Sequence, residues 1–210
     1  MTNEVGALRR GEICRKLLHM SPGLLPFALT LVPHSDPLDF MSKFVVVSLC
    51  VILTGVFLSL HRVVRRPGEE NLLSTAISYP ATIIATLLLF PAHVELTGVV
   101  AVVLAFGDGS AYIGGRFFGK RPLPWNKEKT WFGTITFIIV AAPLSALGYW
   151  SLAVPESSLV LAITCGTAAT VAGAIAESLP MKVTDNFRVG VSAAVAVAAA
   201  HWVMADLVFL

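Results

Sequence analysis

Charged side chains are scarce in this chain: they make up 13% of its 210 residues, with 15 Lys and Arg against 13 Asp and Glu. A soluble domain carries roughly a quarter, so about half the charge needed for a solvated surface is missing. Cysteine is also sparse. Cys14, Cys50 and Cys165 are scattered, which excludes a disulfide framework and a cysteine metal site. No His-x-x-x-His or His-Cys spacing suggests zinc, no Gly-Lys-Ser/Thr phosphate loop occurs, and no nucleophile-elbow serine is present. A net charge of +2 gives no case for nucleic acid, because topology explains the basic residues better.

What is abundant is apolar sequence, 56% of the chain with a mean hydropathy of +0.78. Apolar runs recur at about 17 to 25 residues, enough to cross a hydrocarbon core of about 30 Å as helix. Spanning segments must satisfy their own backbone polar groups, and runs such as Ile83–Phe90 do not alternate as barrel strands do. The expected fold is therefore all-α, a polytopic transmembrane helical bundle forming one domain over 1–210. Its seven expected spans are Leu17–Val32, Phe40–Leu60, Leu72–Phe90, Val94–Gly114, Phe132–Trp150, Ser157–Ala176 and Val189–Leu210. The first is interrupted by Pro22 and Pro26, and reads as a retained helix rather than a cleaved signal.

Fourteen of the fifteen Lys and Arg fall in alternate connections, and only Lys43 lies near the other face. The positive-inside rule then puts the N-terminus in the cytoplasm and, with seven spans, the C-terminus outside. The expected location is the cell membrane, multi-pass.

Four polar clusters fall on the cytoplasmic side of that topology. The first holds Glu12, Arg15, Lys16 and His19, which share a face if helix extends outward from the first span. In the second, Gly107, Asp108, Gly115, Arg116, Gly119 and Lys120 place a carboxylate at a span end beside a glycine-broken, cationic stretch. An intramembrane carboxylate is costly unless paired, hydrated or bound to metal. Such a set suits phosphate and a divalent cation, although Gly107, Ala111 and Gly115 equally make a smooth packing face. The third is Lys129-Thr130 at the mouth of the fifth span, after a proline-stiffened loop with Trp125. The fourth is Glu177-Ser178-Leu179-Pro180 with Asp185-Asn186. Asp108, Glu177 and Asp185 are the candidate metal or proton-transfer groups. His34, His61, His93 and His201 read as incidental.

These four motifs, in this order and spacing, resemble the CTP-dependent lipid-alcohol kinase superfamily. It includes dolichol, phytol and farnesol kinases and CTP-using diacylglycerol kinases, and is often grouped with phosphatidate cytidylyltransferases. The resemblance implies γ-phosphoryl transfer from CTP, with Mg²⁺, to a membrane-embedded long-chain alcohol. Carried over by position, Asp108 would be the central catalytic or metal-linked carboxylate. Glu177, Asp185 and Asn186 would complete the magnesium and nucleotide site. Arg116, Lys120, Lys129 and Thr130 would hold phosphate beside Gly107, Gly115 and Gly119. Glu12, Arg15, Lys16 and His19 would line the edge. The run from Lys129 to Thr134, with Phe132 where an acid is usual, looks more like the phytol and farnesol branch, favouring a prenyl alcohol. The alternatives are a cytidylyltransferase that moves CMP to a lipid phosphate, and a small-solute transporter, which would place its charges nearer the midplane.

Overall fold

The computed structural model describes residues 16–31, 34–59, 72–181 and 183–208. Among the described residues there are seven helices, and the only strand-like pairing is an isolated bridge between Pro122 and Thr130. Helix α1 covers 16–29, with a 3-10 turn at Ser21–Leu24 followed by α-helix at Leu25–Leu29. The others are α2 (Phe40–Ser59), α3 (Leu72–Leu89), α4 (Val94–Phe118), α5 (Trp131–Leu152), α6 (Leu159–Ser178) and α7 (Asp185–Val208).

Each expected span coincides with a helix, but the lengths differ. Among the described residues, four helices are long and apolar enough to cross a membrane: Val94–Phe118, Trp131–Leu152, Leu159–Ser178 and Asp185–Met204. Phe40–Val56 and Ile77–Leu89 are shorter apolar stretches. Helix α1 extends only about 20 Å at helical rise. Pro22 and Pro26 each stand in the first turn of a helical segment, where a missing N–H costs nothing, and so divide α1 into two short pieces.

Helix α4 is the centre of the bundle. From Val94 to Val102 every residue is buried, as expected of a helix apolar on nearly all sides. It packs against α5 and α7, and α6 completes a continuous core between them. Small residues set these approaches: Gly166 of α6 lies against the Ser145–Ala146 backbone of α5, where an added Cβ would come within 2.8 Å of Ala146 Cα. Thr130 caps α5 by accepting from Gly133 N–H at 3.1 Å, and Ser158 caps α6 by accepting from Leu161 N–H at 3.1 Å. The outer faces remain apolar, with Phe44 and Ile52 on α2, Val160 and Ile175 on α6, and Val195 on α7 exposed.

Midway along α4, residues Val103–Gly107 form a π turn. A π turn carries an extra residue per turn and so rotates all that follows; such bulges recur at functional sites. The next residue is Asp108. Helix α1 packs on the π turn through Gly23, where a Cβ would meet Phe106 at 2.8 Å. The short first helix therefore lies against the segment that presents Asp108.

Candidate active site

Asp108 receives two side chains from α1. Lys16 Nζ donates to its Oδ2 at 2.5 Å, and His19 Nε2 stands 3.6 Å from the same oxygen. Lys16 is almost fully buried and also lies over the Tyr112 ring, 5.2 Å from its centroid. Tyr79 of α3 meets His19 edge-on at 5.3 Å. Lys16 and His19, expected at the site's edge, are thus the direct neighbours of its central carboxylate.

The second half of the site is built by the loop between α4 and α5. This loop closes on itself: Leu123 N–H donates to the Lys129 carbonyl at 2.9 Å, Trp131 N–H to Arg121 at 3.2 Å, and Leu123 is buried beneath. It is also tied to the end of α6, where Asn126 Nδ2 donates to the Ser178 carbonyl at 3.1 Å and Trp125 Nε1 to the Ser178 hydroxyl at 3.4 Å. These contacts deliver Lys129 to two carboxylates. Its ammonium donates to Glu177 Oε1 at 2.7 Å and to Asp185 Oδ2 at 2.9 Å. Burial alone would pull the Lys129 pKa down, but the charges of Glu177, Asp185 and Asp108 outweigh it and hold the ammonium above the ordinary lysine range.

Arg188 fixes the other side of this cluster. It pairs with Asp185 and donates to the carbonyls of Ala176 at 2.9 Å and Leu179 at 2.7 Å. Ala176 lies in the last turn of α6 and Leu179 is its C-cap, where backbone acceptors run short of helical partners. In the sequence Arg188 is one of the fourteen basic residues that set the expected topology. Its one clue was a spacing of three residues from Asp185 on the same helix face. Asn186 is buried in the first turn of α7 beside Asp185.

Not every expected residue joins this centre. Arg116 and Lys120 are exposed near the end of α4 and form no ion pair among the described residues. Gly115 and Gly119 pack against Thr130: a Cβ on Gly115 would stand 2.9 Å from Thr130 Oγ1, and one on Gly119 2.9 Å from Thr130 Cβ. Gly107 makes room for the buried Phe137 ring. Glu12 and Arg15 lie outside the described residues.

Asp108, Glu177 and Asp185 offer the hard oxygen donors that magnesium takes. Lys16 holds the first, and Lys129 holds the other two. The donor types suit the ion, although the three carboxylates do not gather within 4.8 Å of one another and each is held by a lysine ammonium. Sequence reading missed a different grouping, His93, Glu95 and His201, at the start of α4 and the far part of α7. These residues are too widely separated in sequence for any local motif to reveal them.

Fold and site together define an all-helical membrane protein with buried carboxylates and cations gathered at one end of its bundle. The chain belongs to the cytidylyltransferase family, which matches residues 2–179. It is similar to the probable phytol kinase 1, chloroplastic, of Oryza sativa subsp. japonica, at 30% identity over 200 residues, covering 85% of this chain and 61% of the relative. It is also similar to phytol kinase 1, chloroplastic, of Arabidopsis thaliana, at 27% identity over 200 residues, covering 85% and 63%. The chain spans about three fifths of the length of these relatives. No solved structure matches it. The resemblance read from the four motifs is borne out at the level of the family. The expectation of a cell membrane with a cytoplasm-facing site finds no support in relatives named as chloroplastic.

Proposed function

We propose that this protein transfers the γ-phosphoryl group of CTP to a membrane-embedded prenyl alcohol. The observation that carries this reading is the position of His19. Its ring stands 3.6 Å from Asp108 and also lines a partly open apolar cavity of about 450 Å³ between α1, α2, α3 and α4, with Leu152 of α5. Leu25, Leu49, Leu53, Ile83 and Leu87 form part of its wall. Pockets that take small ligands run to about 300–1,000 Å³ and are mostly apolar with a few converging polar groups. A hydrocarbon tail held there brings its hydroxyl to the Asp108–His19 pair.

In the reaction, the alcohol oxygen attacks the γ-phosphorus, the bond to the β-phosphate oxygen breaks, and CDP leaves. His19 orients the hydroxyl and Asp108 accepts its proton. Lys16 and Lys129 lie beside the carboxylates and supply positive charge where the transferring oxygens gain negative charge. Arg116 and Lys120, exposed at the rim, meet the incoming triphosphate. Asp108, Glu177 and Asp185 would hold Mg²⁺, which supplies charge neutralisation at the phosphates. Lys16 pairs with Asp108 and Lys129 with Glu177 and Asp185, so nucleotide binding would redistribute both ammonium groups from carboxylate to phosphate.

The helices read as membrane crossings except α1, which is too short at about 20 Å, with the site on the face that soluble nucleotide reaches. A second reading, cytidylyl transfer to a lipid phosphate, is favoured by the family match to residues 2–179. An acceptor panel tests the choice of substrate: purified protein with Mg²⁺ and γ-labelled CTP is offered phytol, farnesol, geranylgeraniol, dolichol and diacylglycerol. Labelled prenyl monophosphate is expected, and label in diacylglycerol alone contradicts the proposal.

A further inference from the structure

The end of the bundle remote from Asp108 holds a second cluster that the proposed reaction does not use. Glu95 lies thirteen positions before Asp108 on α4, about 20 Å away at helical rise. Its Oε1 is 3.0 Å from His93 Nδ1 and 4.0 Å from His201 Nδ1. The His93 and His201 rings meet at 4.5 Å between centroids, and one donor atom from each of the three residues lies within 4.8 Å of the others. The buried Tyr149 hydroxyl, 2.6 Å from His201 Nδ1, fixes that ring.

Two oxygens at this cluster are anomalous. Glu95 Oε2 and Asp36 Oδ1 are both buried, and neither has a hydrogen-bond donor among the described residues. The Glu95 side chain is only 5% exposed, and the Asp36 and Glu95 carboxyl groups lie within electrostatic and hydrogen-bonding reach of one another. Asp36 is brought there by accepting from Val94 N–H at 3.3 Å through its other oxygen. Buried carboxylate oxygens without donors are costly. Two carboxyl groups this close hold either a shared proton or a cation between them, and the two imidazoles beside Glu95 are the donors a cation would take.

The geometry points to a divalent transition-metal site of the Zn²⁺ type, formed by His93, Glu95 and His201 with Asp36 beside them. Mixed imidazole and carboxylate donors suit zinc rather than magnesium, which prefers all-oxygen sites. Donors on a tetrahedral zinc stand about 3.4 Å apart, so the cluster closes on the ion with movements of about 1 Å. The site would tie the segment before α2, the start of α4 and the far part of α7 into one structural clasp. It needs no catalytic role and is independent of the phosphoryl-transfer reading.

Metal titration of the tag-free full chain, purified in detergent and stripped with chelator, tests this. Zn²⁺ should bind at about one equivalent per chain, resist millimolar Mg²⁺ and raise the melting temperature. Co²⁺ at the same stoichiometry should give the visible d–d absorption of a low-coordinate N/O site. His201→Gln and His93→Gln should each weaken binding tenfold or more, whereas Asp108→Asn should leave it unchanged. His93 is one-third exposed, so its variant retains a cooperative melt even if the buried His201 variant does not. Absence of Co²⁺ absorption, or undiminished binding in the His93 variant, overturns the proposal and leaves a shared proton between Asp36 and Glu95.

Discussion

Lys16 and Asp108, separated by 92 residues in the chain, form a 2.5 Å ion pair between the short first helix and the turn that follows the π segment. Both side chains are largely buried, at 9% and 16% exposure. Such a pair is strongly destabilising to break from one side, because the remaining charge is left without compensation.

Asp108→Asn should therefore do two things. CTP-dependent lipid phosphorylation should fall by about 100-fold or more, as expected for a group that handles the reacting proton, and stability should drop by about 3–5 kcal/mol as Lys16 loses its partner. Initial rates and thermal melts in the same detergent read both. Activity within a few-fold of the parent, in a folded sample, removes Asp108 from the chemistry.

Lys129 should stay charged well into alkaline solution. Its folded-state pKa lies above the ordinary value of 10.5, so its stabilising contribution is fully present below that value and is lost only as pH rises through the higher folded-state pKa. ¹³C-dimethylated Lys129, followed by NMR, should keep its protonated shift through pH 10.5. Titration below pH 10 would show that Glu177 and Asp185 do not hold it as described.

Arg188→Met should lower kcat more than it raises KM for CTP, because Arg188 touches the α6 carbonyls and Asp185 rather than substrate. Arg188→Lys should recover little, since one ammonium does not reproduce the guanidinium fork. A pure KM effect would make Arg188 a nucleotide ligand instead.

Leu53→Trp should fill part of the apolar cavity beside His19. The expected outcome is a raised KM for twenty-carbon alcohols with geraniol turnover preserved. Equal losses for both chain lengths would place the tail elsewhere.

The positions of Asp108, Lys129, Glu177 and Asp185 were legible in the sequence because each is a charge stranded at the end of an apolar run, where lipid makes an unpaired group costly. Their pairing was not, since the link from Lys129 to Glu177 depends on how Asn126 and Trp125 anchor a loop to Ser178. The glycines illustrate a true ambiguity: Gly115 and Gly119 follow a spacing that serves phosphate or close packing, and in the structure they make room for Thr130. The π turn at Val103–Gly107 leaves no mark in a run of apolar residues, yet it sets the rotation of Asp108. Lys16 became a direct partner of Asp108 only because α1 is short and lies against that turn. His93, Glu95 and His201 come together only through the packing of α4 against α7, which residue spacing does not record.

The fate of the two ends of CTP tests the central claim most directly. The purified protein is incubated with geranylgeraniol or phytol, Mg²⁺ and CTP labelled separately at the α and γ positions. Phosphoryl transfer predicts γ label in the lipid monophosphate and α label in CDP. Release of γ label as pyrophosphate, with α label entering a lipid phosphate offered in place of the alcohol, would contradict it.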